Sequence, residues 1–217
     1  MDEDEIIDNP VLDSSKKSKE LRKQIIELVK IYVQETHPSK SFIPGKTIVP
    51  VSGKVFDSLE IEFLIASGLD FWLTSDRFNH QFEKKLSQFL NSKFVLTTNS
   101  GSSANLLAVS ALTSERLGPR SLKPGDAVIT VAACFPTTVY PLIQNDLIPV
   151  FVDIDLSTLS INVDSIESAI SDKTKAIMVA HMLGNPFDIE QICEIAKKHN
   201  LWIIEDCCDA LGSKFKQ

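Results

Sequence analysis

Three stretches place residues with chemistry where an apolar run gives way to a helical pattern. In Thr97-Thr-Asn-Ser-Gly-Ser-Ser-Ala-Asn105 a glycine precedes two serines at the start of a helical segment. Gly101 allows the backbone to approach a ligand closely, Ser102 and Ser103 supply hydroxyl and N–H donors, and the helix dipole favours an anion, so the stretch can cup a phosphate. It has neither the three-glycine spacing of a dinucleotide fingerprint nor the Gly-Lys-Ser/Thr of a P-loop. The plainer alternative is that Ser102 only caps the helix.

In Ala133-Cys-Phe-Pro-Thr-Thr138, Phe135 follows the carboxyl end of an expected strand. Its ring there can lie flat over a planar ligand, or simply join the core. In Leu201-Trp-Ile-Ile-Glu-Asp-Cys-Cys-Asp-Ala-Leu-Gly212, an apolar run ends in the acidic pair Glu205 and Asp206. A carboxylate beside a heteroaromatic nitrogen keeps that nitrogen protonated, and a protonated pyridine ring can take up electron density from a carbanion. A helix cap or a salt-bridge partner is the alternative for Asp206.

Elements that could position these residues follow from periodicity. Strands are expected at residues 94–97, 127–131, 148–152, 175–180 and 201–205, alternating with helices at 102–113, 136–144, 163–170 and 189–199. Such alternation implies an α/β, three-layer fold, a mostly parallel sheet with helices on both faces. Upstream, Leu21, Ile25, Leu28, Val29 and Tyr32 recur at helical spacing within residues 16–34. Pro38, Pro44, Gly45, Pro50 and Gly53 then mark an extended connector. Two further helices, 58–69 and 77–90, flank a loop in which Phe71 and Trp72 either line a pocket or plug the gap between helices. Residues 1 to about 15 are acidic and aperiodic, so an unstructured tail is expected there. The expected division is residues 1–40, tail plus helix, and 41–217, one large domain. His181, Asp153 and Asp155 are expected to be structural.

Composition narrows the function classes. The 217 residues are 43% hydrophobic and 24% charged, an ordinary globular balance with enough length for a sizeable core. Net charge is −7 and no basic cluster is interleaved with aromatics, which argues against a nucleic-acid partner. The acidic start and short apolar runs give no sign of a signal peptide or membrane span, so a cytoplasmic location without a membrane partner is expected. Four cysteines, Cys134, Cys193, Cys207 and Cys208, suit thiols or metal ligands better than a disulfide framework.

Taken together, phosphate cup, aromatic plate and carboxylate occur in that order, each at the exit of an expected strand. From about Phe71 to Gly212 the chain resembles the first half of a fold-type-I, pyridoxal-phosphate-dependent enzyme of the DegT/StrS sugar-aminotransferase family. The resemblance rests on Gln81-Phe-Glu83, Ser100-Gly-Ser102, Lys123-Pro-Gly-Asp-Ala-Val-Ile129, Pro149-Val-Phe-Val-Asp153, Thr174-Lys-Ala-Ile177, His181-Met-Leu-Gly184 and Ile204-Glu-Asp206. Phe71-Trp-Leu-Thr74 and Glu205-Asp-Cys-Cys-Asp-Ala-Leu-Gly212 are similar to one branch, the 3-dehydrases acting on CDP-4-keto-6-deoxyglucose in lipopolysaccharide O-antigen dideoxysugar synthesis. That branch uses pyridoxamine phosphate to remove the C3 hydroxyl and has histidine where the family has its catalytic lysine.

The resemblance implies a role for each matching residue. Gly101, Ser102 and Ser103 would hold the phosphate, Phe135 would stack on the ring, and Asp206 would pair with the ring nitrogen. Phe71 and Trp72 would meet the nucleotide-linked 4-keto-6-deoxy sugar. Asp209 stands near the cofactor where aminotransferases of the family usually have Gln, which favours the dehydrase branch. Cys208, or alternatively Cys207, would supply one ligand of a [2Fe-2S] cluster, and the two residues could equally be small side chains after a strand. A homodimer and a reductase partner are implied for the full-length enzyme. The catalytic Lys or His is expected beyond Gln217, so the chain by itself is expected to be inactive. Three other readings stay open: a sugar aminotransferase of the same family, a non-catalytic cofactor-binding or assembly module, and a Rossmann-type nucleotide-binding domain.

Overall fold

Four apolar runs become strands: β1 (Ala127–Val131), β2 (Ile148–Val152), β3 (Thr174–Ala180) and β4 (Trp202–Asp206). The computed structural model describes residues 7–38, 41–50 and 53–215. All pairings are parallel, and the strand order is β2-β1-β3-β4. The chain moves from β1 to one side and then crosses back to the other, so the order reverses between β1 and β3. In open parallel sheets, ligands bind outside the carboxyl ends of the strands at such a reversal.

Right-handed crossovers taken in opposite directions put their helices on opposite faces. The β1-to-β2 connection contains α5 (Pro136–Gln144), which packs with α4 (Gly101–Leu112) on one face. The later connections contain α6 (Ile166–Ala169) and α7 (Ile189–His199), which cover the other. Strand residues alternate between the faces. Val128, Ala176, Met178 and Ile204 join Val109 of α4 and Leu142 of α5. Ile129, Val131, Ile177 and Val179 join Ile192 and Ile195 of α7. Local chemistry sets the ends of α7: Asp188 caps its start by accepting from the Gln191 N–H at 3.1 Å, and Asn200 closes it in the left-handed conformation after Lys197, Lys198 and His199.

The described residues form two compact units, Met1–Gln88 and Phe89–Gln217, a division well beyond the residue 40 expected from sequence. The first unit holds α1 (Lys16–Thr36) and α2 (Ser58–Leu69); α3 (Arg77–Leu90) runs through the dividing point. Residues 1–6 of the expected tail lie outside the described residues, and the rest of it is anchored at two points, with most of its other residues exposed. Ile7 is buried with Ile26 and Ala66, and Asp13 is buried against Arg22. The face of α1 also differs from expectation. Leu21, Ile25, Leu28 and Tyr32 are exposed, whereas Arg22, Ile26 and Val33 are buried.

A charge network causes this choice of face. Arg22, only 4% exposed, donates to Asp70 Oδ1 at 2.9 Å and to the Ala66 carbonyl at 3.1 Å, while Asp70 Oδ2 accepts from Arg77 at 2.7 Å. Arg22 Nε lies 2.7 Å from Asp13 Oδ2 but out of line for a hydrogen bond. Burial alone would raise the Asp70 pKa, but hydrogen bonds from Arg77, Asn9 and Arg22 outweigh it and hold the carboxyl below its ordinary value.

Residues 94–97 are not a strand. No described strand pairs with them in a ladder, and Phe94 and Leu96 are 77% and 75% exposed, so this apolar run does not become a strand. The expected helix at 163–170 is a 3₁₀ turn, Val163–Ser165, followed by the single turn of α6. Among the described residues no helix is long and apolar enough to cross a membrane.

Candidate functional site

At the carboxyl ends of β1, β3 and β4 lies a cavity of about 350 Å³, at the reversal of strand order. Gly101, Ser102 and Asn105 reach it from the first turns of α4. Phe135 and Thr137 come from the exit of β1, His181 and Met182 from that of β3, and Asp206, Cys208 and Asp209 from that of β4. Five of the six residues expected to hold a cofactor therefore line one cavity: Gly101, Ser102, Phe135, Asp206 and Asp209.

Strand alternation aims Asp206. Ile204 faces α4 and α5, so Asp206, two residues on, faces the same side. There its Oδ2 accepts from Asn105 Nδ2 at 2.8 Å and from Thr138 Oγ1 at 2.9 Å, while Oδ1 accepts from the Cys208 N–H at 3.2 Å. Asn105 and Thr138 are buried. Among the described residues Asp206 caps no helix and forms no salt bridge. The sequence gives no local signal for either donor, since they lie 101 and 68 residues away in the chain.

The phosphate cup is rearranged in detail. Ser100, rather than Ser102, caps α4: its Oγ accepts from the Ser103 N–H at 3.2 Å and donates to the Ser103 hydroxyl at 3.1 Å. Ser103 is thus engaged with the cap and does not line the cavity, whereas Ser102 does. A Cβ placed on Gly101 would meet no atom within 4 Å, so no packing within the protein requires glycine there and the space in front is open. Phe135 is 69% exposed, which makes it a wall of the cavity rather than part of the core.

Asp209 has a second role. Its Oδ2 accepts from the Leu183 N–H at 3.2 Å, and its carbonyl oxygen lies 2.8 Å from where a Cβ on Gly184 would stand. Leu183 and Gly184 both have positive φ, 55° and 76°. The turn after β3 and the loop after β4 are thereby clamped together.

Glu205, in step with Ile203, faces the α7 side, where its carboxylate lies 3.1 Å from His181 Nε2 and the imidazole stacks on Phe187 at 4.0 Å. His181, expected to be structural, is buried and also lines the cavity. Among the described residues one group of metal-ligand type appears, His181, Glu205 and Cys207, with ligand atoms within 4.8 Å of one another. It includes Cys207 and not Cys208. Burial pushes the Cys207 thiol up, and the Glu205 and Asp206 carboxylates add to the shift, which opposes the thiolate that a metal requires. All four cysteines are free thiols.

Phe71 and Trp72 belong to the first unit. Trp72 lines a cleft of about 320 Å³ with Asp70, Arg77 and Phe78. Phe71, 85% exposed and at a φ of 53°, does not line it.

The groups around the main cavity are of the types that would suit a phosphorylated pyridine: a helix amino terminus for an anionic end, an aromatic wall for a ring, and an anchored carboxylate for a ring nitrogen.

Comparison with known proteins gives the same direction. The sequence model of the DegT/DnrJ/EryC1/StrS aminotransferase family matches residues 58–217. The chain is 57% identical over 196 residues to lipopolysaccharide biosynthesis protein RfbH of Salmonella typhimurium, covering 90% of the chain and 45% of that relative. It is 44% identical to dTDP-4-dehydro-2,6-dideoxy-D-glucose 3-dehydratase of Saccharopolyspora spinosa, over 89% of the chain and 42% of the relative. The solved structure of the E. coli GDP-4-keto-6-deoxy-D-mannose-3-dehydratase with bound hydrated PLP superposes with a TM-score of 0.71 at 37% identity, covering 77% of this chain and 43% of that one. Aminotransferases are also among the matched proteins. The chain spans a little under half the length of these relatives.

Proposed function

Because the chain belongs to the DegT/DnrJ/EryC1/StrS aminotransferase family, we propose that it is the cofactor-binding part of a nucleotide-sugar 3-dehydrase. The enzyme would use pyridoxamine 5'-phosphate to remove the C3 hydroxyl of a CDP-linked 4-keto-6-deoxyhexose, in the cytoplasmic synthesis of O-antigen dideoxysugars. The carrying observation is Asp206, held by Asn105 and Thr138 in the cavity that also receives the amino terminus of α4. When bound, the cofactor supplies an electron sink. Asp206 would hold the proton on its ring nitrogen, Ser102 and the backbone of Gly101 would receive its phosphate, and Phe135 and Asp209 would hold its ring. Support for the substrate class comes from the names of the 3-dehydratase relatives and of the lipopolysaccharide relative.

The remaining assignments are part of the same proposal. Trp72, with Phe71 beside it, would meet the nucleotide sugar. Cys208 would supply one ligand of a [2Fe-2S] cluster completed elsewhere in the full-length protein and fed by a reductase partner; full-length protein carrying Cys208→Ser should then lose its iron-dependent visible absorbance. The group that moves the proton at the reacting carbon is expected outside these 217 residues, so the chain alone should show no turnover. A homodimer is also proposed, supported by the uncovered stripe Leu21, Ile25, Leu28 and Tyr32 on α1.

Titration with pyridoxamine 5'-phosphate, followed by near-ultraviolet absorbance, tests the cofactor reading. Saturable binding by the wild-type chain, reduced at least about tenfold by Asp206→Asn, is expected. Equal binding by both proteins would refute the role of Asp206. Trp72→Ala should leave that titration unchanged and weaken binding of a CDP-sugar; unchanged CDP-sugar binding would remove Trp72 from the substrate site. A second reading, transfer of an amine to a keto sugar, is favoured by the aminotransferases among the relatives. Full-length protein that transaminates with glutamate would establish it.

A further inference from the structure

We infer that Asn105 and Thr138 are positioning residues that select which oxygen of Asp206 meets the ring nitrogen. The inference rests on the cofactor reading above and extends it to residues outside the phosphate, ring and nitrogen contacts. Both donors converge on one atom, Asp206 Oδ2, at 2.8 and 2.9 Å. Among the described residues Oδ1 accepts a single hydrogen bond, from the Cys208 N–H, at a longer 3.2 Å. Oδ2 is therefore committed to the protein, and Oδ1 is the oxygen with room for a further donor.

The polarity of these bonds follows from the partners. Asn105 Nδ2 also donates to the Thr137 carbonyl at 3.2 Å, so both neighbours of this amide end are acceptors and only nitrogen satisfies them. Thr138 is fully buried and its hydroxyl has one proton to give, which goes to Asp206. The two residues enter from different elements, Asn105 from α4 and Thr138 from α5, so the carboxylate is braced on two sides.

Placement on α4 adds a further consequence. Ser102 and Asn105 are three residues apart, on one helix face and about 4.5 Å apart along the axis. The segment offered to the phosphate and the side chain that orients the carboxylate thus belong to the first turns of a single helix. Asn105 couples the two ends of the cofactor site, so that a shift of α4 moves both.

The test uses the 217-residue chain with Asn105→Leu, Thr138→Val and Thr138→Ser. Affinity for pyridoxamine 5'-phosphate is measured by titration, and the state of the bound ring nitrogen by the ¹⁵N chemical shift of cofactor labelled at that atom. Thermal unfolding of each variant gives a separate readout of folding. Asn105→Leu and Thr138→Val are expected to weaken binding about tenfold each and to move the ¹⁵N signal toward the unprotonated pyridine, while Thr138→Ser restores both. Variants with wild-type affinity, or with weaker binding but an unmoved ¹⁵N signal, would overturn the positioning role. Absence of saturable binding by the wild-type chain would overturn the cofactor reading itself, and this inference with it. A variant too unstable to titrate is replaced by the other position, whose unchanged ¹⁵N signal is equally decisive.

Discussion

At the residue scale, two glycines near the cavity have opposite reasons for being glycine. Gly184 has a φ of 76° and would place a Cβ 2.8 Å from the Asp209 carbonyl oxygen, so Gly184→Ala should cost roughly 2 kcal/mol in urea denaturation. Gly101 has no such constraint, and Gly101→Ala should change stability by no more than about 0.5 kcal/mol while weakening pyridoxamine 5'-phosphate binding. Equal stability losses would show that the two positions do not differ in this way. Legibility at this scale follows chain distance. Gly101, Ser102, Phe135 and Asp206 are visible in the sequence because each sits where an apolar run ends. Asn105 and Thr138 are not, because what gives them meaning is a carboxylate in another element. Ser103 is the reverse case: a residue of the right type whose N–H donates to the Ser100 hydroxyl and whose own hydroxyl accepts from it, away from the cavity.

At the element scale, periodicity located the helices better than it oriented them. Residues 16–34 contain an apolar stripe, yet α1 turns Arg22 inward because Asp13 and Asp70 meet it there. A hydrophobic pattern cannot register a partner 48 residues away. The strand expected at 94–97 failed for a related reason, since an apolar run becomes a strand only beside another. The Asp70 carboxyl is held below its ordinary 3.8 by Arg77, Asn9 and Arg22 against the opposing effect of burial. A carboxyl lowered in the folded state stabilises the fold above its unfolded value and loses that contribution as pH falls through the folded one. Asp70→Asn should therefore destabilise the chain by about 2 kcal/mol at pH 7, because it leaves buried Arg22 with Asp13 as its one remaining carboxylate and takes the charge from the Arg77 contact. The gap from wild type should shrink as pH falls below 3.8, toward the point where Asp70 itself protonates. A gap that stays constant in denaturation curves from pH 7 to pH 3 would separate stability from the charge on Asp70.

For the whole molecule, the order β2-β1-β3-β4 explains why residues from four parts of the sequence meet. The reversal between β1 and β3 leaves one crevice at the carboxyl edge, and every strand bordering it ends in a residue of the cavity wall or is followed by one. This architecture was legible, since alternating strand and helix patterns allow few arrangements; the division at Gln88 was not, because no composition change marks it. Sedimentation velocity across a concentration range should show a reversible dimer if the exposed stripe of α1 meets a second copy. A single monomer boundary at all concentrations would remove that proposal. The hydrogen bond from Asn105 to Asp206 spans 101 residues, and this has a consequence for synthesis. Contacts of such separation form late, after the intervening loops have closed. A chain emerging from the ribosome can build α4 and β1 early, yet it cannot orient the carboxylate until β4 has been translated and docked. Cofactor added during synthesis should accordingly be captured only after Asp206 has emerged, which makes its binding a readout of β4 docking.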